Sequence, residues 1–212
     1  LLFMDSPLEM PAGIGFYPGA GEIANGGKAD IITSPLKKAA DLGWDNLPPN
    51  ALVGAFPVNK GFIRRYMVLL PDENGEYTTM AFYKGKRSTA PEATAKSGEW
   101  SDWIYDVFNV ENTDANVVYK FKNIYLNKDG SEAKFYFSHV LNLDDKSHYY
   151  PEEIGDEIQK EVGPLLCFGN CDTYSPEGIK IVMETFAEIY DWQWKVTEYL
   201  LDKKEPQWDL YY

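Results

Sequence analysis

Val117-Val118-Tyr119-Lys120-Phe121-Lys122-Asn123-Ile124-Tyr125-Leu126, followed by Asn127-Lys128-Asp129-Gly130 and then by Glu132–Val140, is the stretch that sets the fold class. Two runs rich in Val, Phe and Tyr flank a turn-forming tetrad that ends in glycine, the pattern of a β-hairpin. Side chains alternate along a strand, so Ala133, Phe135, Phe137 and His139 share one face while Lys134, Tyr136 and Ser138 share the other. His139 therefore stands among core aromatics, where a packed, hydrogen-bonded imidazole is expected rather than a catalytic one.

Upstream, Phe62–Leu70 and Tyr77–Tyr83 flank Asp72-Glu73-Asn74-Gly75, and Asn-Gly is the strongest short hairpin signal. A Ser/Thr/Ala/Pro-rich link, Ser88–Ser97, leads to Trp100–Val110. Residues 1–50 are rich in Gly and Pro and read as ordered loop, with a short helix near Pro35–Leu42.

After Tyr150 the apolar period becomes helical. Pro151 suits a first helical turn; Ile154, Ile158 and Val162 line one stripe, and Gly163-Pro164 stops it. Ser175 is placed to cap a second helix opening at Pro176 and running to about Lys204. Its main stripe is Val182, Phe186, Ile189, Val196 and Leu200, widened by Met183, Tyr190 and Trp194; a helix this apolar is expected to pack on two sides. Lys203-Lys204-Glu205-Pro206 breaks the pattern, and Trp208-Asp209-Leu210-Tyr211-Tyr212 reads as the start of a buried strand, beyond whose C-terminal end an α/β enzyme places its chemistry. The expected class is α+β: antiparallel hairpins packed with two C-terminal helices in one insertion- or cap-like domain. Its parts are a loop-rich lead-in over 1–50, mainly antiparallel β over 51–140, helix over 150–205, and the beginning of a core strand over 208–212. Leu1-Leu2-Phe3 lacks an initiator Met, a basic leader or a signal-peptide layout, so the chain reads as excised from a larger α/β enzyme.

Apolar residues make up 44% of the 212 and aromatics 15%, too much for disorder, yet no run approaches membrane-spanning length. A formal charge of −13 argues against a nucleic-acid polymer or an anionic membrane as partner, since both need clustered Lys and Arg. The arginines Arg64, Arg65 and Arg87 fall in one central stretch, the place to look for a bidentate grip on an anion; a solvated, aggregation-resistant strand edge is the plainer account. Cys167 and Cys171 read as free thiols beside a turn. The alternative is a small loop disulfide, which would point to an extracytoplasmic setting. Neither histidine shows the paired spacing that a metal site with them would need.

Gly13-Ile14-Gly15 and Gly19-Ala20-Gly21 neither follow a predicted strand nor open a helix, so they are turn glycines rather than a phosphate loop. Thr33-Ser34-Pro35 reads as an ordinary helix cap rather than a nucleophile. The acidic pairs Asp144-Asp145, Glu152-Glu153 and Asp156-Glu157 are sequence neighbours, and neighbours do not converge on one bond as glycosidase acids must. His148, Tyr149 and Tyr150 form a loop with a titrating ring and two phenols, suited either to substrate contact or to covering the helix start. Trp100 and Trp103 at strand spacing would face opposite sides, one in the core and one toward a cleft or a partner.

Gly98-Glu99-Trp100-Ser101-Asp102-Trp103-Ile104, the aromatic hairpin over 117–140, Tyr150-Pro151-Glu152-Glu153-Ile154, the long helix and the terminal Trp208-Asp209-Leu210 occur in an order that resembles the interior of type I phosphodiesterase/nucleotide pyrophosphatase proteins, of the alkaline phosphatase superfamily. The likeness covers about 98–212 and rests on that succession. It implies a parent α/β core with two divalent metal ions, usually zinc, a Thr or Ser nucleophile before this segment, and Asp and His ligands after it. It assigns no catalytic residue and no metal ligand to this chain. It implies contact with the rest of the parent core and a small phosphoester substrate; the residue readings above, not the likeness, make His148, Tyr149, Tyr150, Trp103, Arg64 and Arg87 the candidates to face that substrate. The competing expectation is a non-catalytic, extracytoplasmic module that holds a glycan or a protein by exposed aromatics.

Overall fold

The computed structural model describes residues 30–32, 36–58, 63–110, 112–138, 140–146, 149, 152–166 and 175–203. Their elements are β1 (Asp30–Ile32), β2 (Lys37–Lys38), a 3-10 helix (Ala40–Leu42), β3 (Leu52–Val58), β4 (Ile63–Pro71), β5 (Tyr77–Tyr83), β6 (Ala93–Lys96), β7 (Ile104–Val110), β8 (Thr113–Tyr119), β9 (Phe121–Leu126), β10 (Ala133–Phe137), β11 (Leu141–Asn142), a short helix (Ile154–Glu161) and a long helix (Pro176–Lys203). Five strands form one sheet in the order β2-β3-β4-β5-β6, and two three-stranded sheets run β1-β10-β9 and β11-β8-β7. The described pairings are antiparallel, and the class is α+β.

The turns act as their residues imply. Gly75 takes φ +82° between β4 and β5, and the Asp72 carboxylate accepts hydrogen bonds from the N–H groups of Asn74 (2.8 Å) and Glu76 (3.0 Å). The run 117–126, expected as one strand, is divided at Lys120, where the chain leaves one three-stranded sheet for the other. Serine hydroxyls complete the ladder at this corner. Lys120 N–H donates to Ser138 Oγ (2.9 Å), Phe121 N–H donates to Ser101 Oγ (3.0 Å), and Ser138 N–H donates to the Lys120 carbonyl (2.9 Å). In place of a short helix over 35–42 there are β2 and the brief 3-10 turn, with Pro35 outside the described residues.

The main core lies between the inner face of the five-stranded sheet (Met67, Leu69, Met80, Phe82, Ala93, Ala95) and the inward residues of β7 to β10, so residues before and after 98 contribute to one core. Phe82 sits 5.7 Å from Tyr119, 6.4 Å from Phe121 and 6.3 Å from Phe137 between ring centroids, and Tyr119 is 4.8 Å from Phe137. Ala133, Phe135 and Phe137 are buried here, as the alternation implies; His139 lies outside the described residues. A second cluster covers the outer face of the same sheet: Val53, Val68, Ala81 and Tyr83 against Ala39, Trp44, Leu47 and Ala51. Burial on both faces accounts for the continuous apolar run Met67-Val68-Leu69 in β4.

The two helices pack on each other through Ile154, Ile158, Trp192 and Val196, with Tyr149 among them. Ser175 caps the long helix as expected, its Oγ accepting from Gly178 N–H at 3.0 Å. Gly163 at φ +104° ends the short helix, and its carbonyl receives the Trp192 indole N–H at 2.9 Å. The buried line of the long helix is rotated from the one expected: Ile181, Thr185, Trp192 and Val196 are inside, while Phe186 is 44% exposed and Met183, Tyr190 and Trp194 are 62–64% exposed. Both lines carry a tryptophan, and the inward one is the line whose Trp192 and Val196 meet Ile154 and Ile158 of the short helix. Pro151, Lys204–Pro206 and Trp208–Tyr212 lie outside the described residues.

Gly130 has φ +71°, and a Cβ there would stand 2.7 Å from Leu52 Cδ1 and 2.8 Å from the Tyr77 ring. The β9–β10 turn thus docks on the start of β5, where Tyr77 N–H donates to the Lys128 carbonyl at 2.8 Å. Gly130→Ala is expected to lower stability by about 2–4 kcal/mol, the cost of a left-handed Cβ plus an overpacked contact. A urea titration showing a loss below about 1 kcal/mol would contradict that docking.

Candidate functional site

Of the residues expected to face substrate, Arg64 and Arg87 are exposed, Trp103 is half-buried and Tyr149 is only 3% exposed. Tyr149 is a core residue of the helix pair, so it does not line an open surface. Its ring occupies the place where a Cβ on Gly155 would come within 2.6 Å. His148 and Tyr150 lie outside the described residues, as do Cys167, Cys171, the glycine motifs before residue 30 and Thr33-Ser34-Pro35.

The adjacent arginines of β4 point to opposite faces. Arg65 turns inward and grips Asp106 of β7 with two parallel hydrogen bonds, Nε to Oδ2 at 2.8 Å and Nη2 to Oδ1 at 2.9 Å. The same carboxylate accepts from the Tyr119 hydroxyl at 2.6 Å and from Val107 N–H at 2.8 Å. The Arg65 guanidinium also lies 5.7 Å from the Phe108 ring centre. The bidentate grip anticipated in this stretch is internal: Asp106 is the anion, and the contact ties the five-stranded sheet to the β7–β8 hairpin. Burial first, then the neighbouring Asp106 charge, holds the Tyr119 hydroxyl well above the usual phenol range.

A second cluster joins the long helix to the outer face of the β9–β10 corner. Lys120 and Lys122 emerge there almost fully covered, and Lys122 pairs with Glu184 at 2.6 Å while Lys120 pairs with Glu188. Trp100 donates its indole N–H to Glu184 at 3.0 Å and stacks edge-on against Tyr136. Lys120 lies 5.1 Å from the Trp100 ring and 4.9 Å from Trp103, so both tryptophans belong to this layer instead of facing opposite sides. The segment 101–103 is not a strand, and strand alternation therefore does not apply to it. Burial lowers the pKa of Lys120 against the opposing pull of Glu188 and then Asp102.

Arg64 stands on the outer face of the five-stranded sheet, and Arg87 is an exposed turn residue of the loop after β5. Tyr66 and Tyr83 are directly paired across β4 and β5, and Trp44 meets them edge-on at 5.3 and 5.6 Å. Arg64 is two residues from Tyr66 on the same face, and continuing the register sets it level with Gly85. The loop carrying Lys84 to Glu92 is fastened at this end: Lys86 Nζ donates to the Leu42 carbonyl at 2.8 Å, Asn46 donates to the Ser88 carbonyl, and Lys84 pairs with Glu92 at 3.1 Å. Sequence reading missed Trp44, Tyr66 and Tyr83; the available signal was the Asn-Gly turn, from which counting back pairs Tyr66 with Tyr83.

Among the described residues no three His, Cys, Asp or Glu side chains converge to hold a metal ion. Among the same residues no helix is long and apolar enough to cross a membrane.

Two outcomes follow from this chemistry. Tyr119 holds its proton more tightly folded than unfolded, so its contribution is complete below the ordinary phenol pKa of about 10 and is lost as pH rises above it. Urea midpoints at pH 8.5 and pH 11 should fall further for the native chain than for Tyr119→Phe; equal falls would remove the Tyr119–Asp106 bond from the account. Glu184→Gln and Glu188→Gln each leave a covered ammonium without its counter-charge, at about 2 kcal/mol after allowing for the partial exposure of both carboxylates. Lys180→Ala, at a 3.8 Å exposed pair with the same Glu184, should change stability by under about 0.5 kcal/mol. No protein family, curated protein or solved structure matches this chain.

Proposed function

We propose that this chain is the insertion or cap region of a metal-dependent phosphodiesterase/nucleotide pyrophosphatase-like hydrolase, shaping substrate access while the catalytic metal site lies elsewhere in the polypeptide. The observation that carries the reading is an exposed apolar stripe along the long helix. Ile179, Met183, Phe186, Tyr190, Trp194 and Leu201 are 44–64% exposed, and on the helix they form one stripe with Thr197. Together they offer on the order of 700 Å² of side-chain surface, more than the usual largest patch of a monomer and close to one side of a standard interface.

The spacing indicates the kind of body that covers it. From Ile179 to Leu201 the steps are 4, 3, 4, 4, 3 and 4, which averages about 3.67 residues per turn. That is close to the 3.6 of a straight helix, so the stripe keeps to one side of it for about 33 Å. A 3.5-residue coiled-coil seam with a second copy would drift onto Gln193. The surface best matched is the face of the parent's α/β core, to which the motif order also points. Lys120, Lys122 and the tryptophans then fasten the helix from behind.

The reading is tested with the chain as it stands and with the longer polypeptide. With zinc and bis(4-nitrophenyl) phosphate the chain alone should show no turnover above background, and clear turnover would overturn the cap role. Trp194→Ser should leave the melting temperature of the chain alone within about 2 °C, since the ring is already solvated, while destabilising the longer polypeptide. A glycan- or protein-binding module is the second reading, favoured by Tyr190 and Trp194 standing one turn apart in the open. Saturable oligosaccharide binding that Trp194→Ala abolishes would select it.

A further inference from the structure

Between the long helix and the strands beneath it, the described contacts are chiefly those of charged groups. Glu184 and Glu188 reach Lys122 and Lys120, whose side chains are 3% and 7% exposed against 31% and 34% for the carboxylates. Trp100 donates to Glu184, and its ring centre lies 5.1 Å from the Lys120 ammonium and 5.5 Å from that of Lys122. By helical spacing Ile181 and Thr185 complete this face; both are 1% exposed, and the Thr185 hydroxyl is buried with no partner among the described residues. The described apolar clusters do not join across the seam. Tyr149, Ile154, Ile158, Trp192 and Val196 hold the two helices to each other, while the rings between the sheets form a core of their own. The seam itself is nearly balanced. Burial outweighs the pull of Glu188 and Asp102 on Lys120 and lowers its pKa, so the covered position favours the ammonium less than water does.

We propose that the two helices are a separately cohesive strap, which releases from the sheets at this seam and uncovers a basic, aromatic face carrying Lys120, Lys122, Trp100 and Tyr136. Each body keeps its own apolar core when they part, so release does not require unfolding of either. Four charges pass into water, which solvates them as well as they solvate one another. Of the helix face that leaves the strands, Ile181 is the aliphatic member, and the Thr185 hydroxyl gains the partner it lacks. The strap stays tethered where the chain leaves β11. There Lys146 donates to the Leu143 carbonyl and to Gln159 Oε1 (2.6 Å), and pairs with Asp156 (3.0 Å), binding the short helix to its own lead-in. The closed form therefore covers, with two glutamates of the same chain, the most cation-rich aromatic layer described on a molecule of net charge −13. The inference does not rest on the cap role, since it concerns the isolated chain.

The test is amine acetylation of the whole chain, followed residue by residue by mass spectrometry, beside hydrogen exchange on the same sample. Lys120 and Lys122 are covered in the closed form and react only when the seam opens, with the exposed Lys38 as the unprotected reference. In the native chain both lysines should react together, with protection about a hundredfold smaller than that of the Met80, Ala81 and Phe82 amides, which report opening of the strand core. Changing both Glu184→Gln and Glu188→Gln should lower lysine protection about tenfold further. Amide protection at Ile158, Trp192 and Val196 should stay as in the native chain, because the helices move as one body. Lysines as protected as the strand amides would show that the seam opens only with the whole fold, and would overturn the strap. So would helix amides that lose protection in step with the lysines, which marks melting instead of release. The native-chain comparison stands even where the double variant folds poorly, and turnover by the isolated chain would bear on the cap role alone.

Discussion

Two ammonium groups that a strand turns away from the core and beneath a helix are the constraint on which the upper layer of this protein depends. The chain bends from one three-stranded sheet to another at Lys120, and strict alternation then sends Lys120 and Lys122 to the same outer face as Tyr136 and Ser138. A charge covered there is costly unless it is met by a carboxylate. Glu184 and Glu188, one helical turn apart on the long helix, meet both, and Trp100 adds its indole N–H to the same carboxylate. The helix is therefore held on the β-body by directional polar contacts at its N-terminal half and by the apolar Ile158–Trp192–Val196 packing at its C-terminal half. On its third side Ile179, Met183, Tyr190 and Trp194 are 50–64% exposed.

The β-body follows a different logic. Its core is a set of rings from all three sheets, with Phe82 delivered by β5 into the space among Tyr119, Phe121 and Phe137. Such packing aligns the sheets face to face without fixing their lateral position. Arg65, Asp106 and Tyr119 supply that direction, because a bidentate guanidinium contact tolerates little displacement. A single dipeptide thus serves two ends. Arg65 secures the interior, and Arg64, one residue earlier and facing the other way, is left available at the surface.

Much of the layout was legible along the chain. Asp72–Gly75 and Asn127–Gly130 marked turns because only a few residue types accept positive φ, and both glycines adopt it. Ser175 and Gly163 marked helix ends because an unpaired N–H or carbonyl needs a local partner. The break at Lys120 was not legible, since the amides that it frees are taken by Ser101 and Ser138 from distant segments. Nor was the true inward line of the long helix. Ile181, Thr185 and Trp192 are no more apolar as a set than Met183, Tyr190 and Trp194, and the choice between them belongs to the partner. Among the candidate site residues, the arginine stretch stood out by composition alone, while the aromatic cluster beside it came from strand pairing.

Local chemistry along the chain accordingly settled the class of fold, the turns, the helix start at Ser175 and the separation of a strand-rich from a helical half. Each of these is governed by residues within a few positions of one another. Three-dimensional packing alone assigned Arg65 inward to Asp106, Lys120 to Glu188, and Trp44 to the Tyr66–Tyr83 pair. Those partners stand up to 68 positions apart, and their meeting is a property of how sheets, loops and the helix are laid against one another. No periodicity in a one-dimensional pattern encodes either.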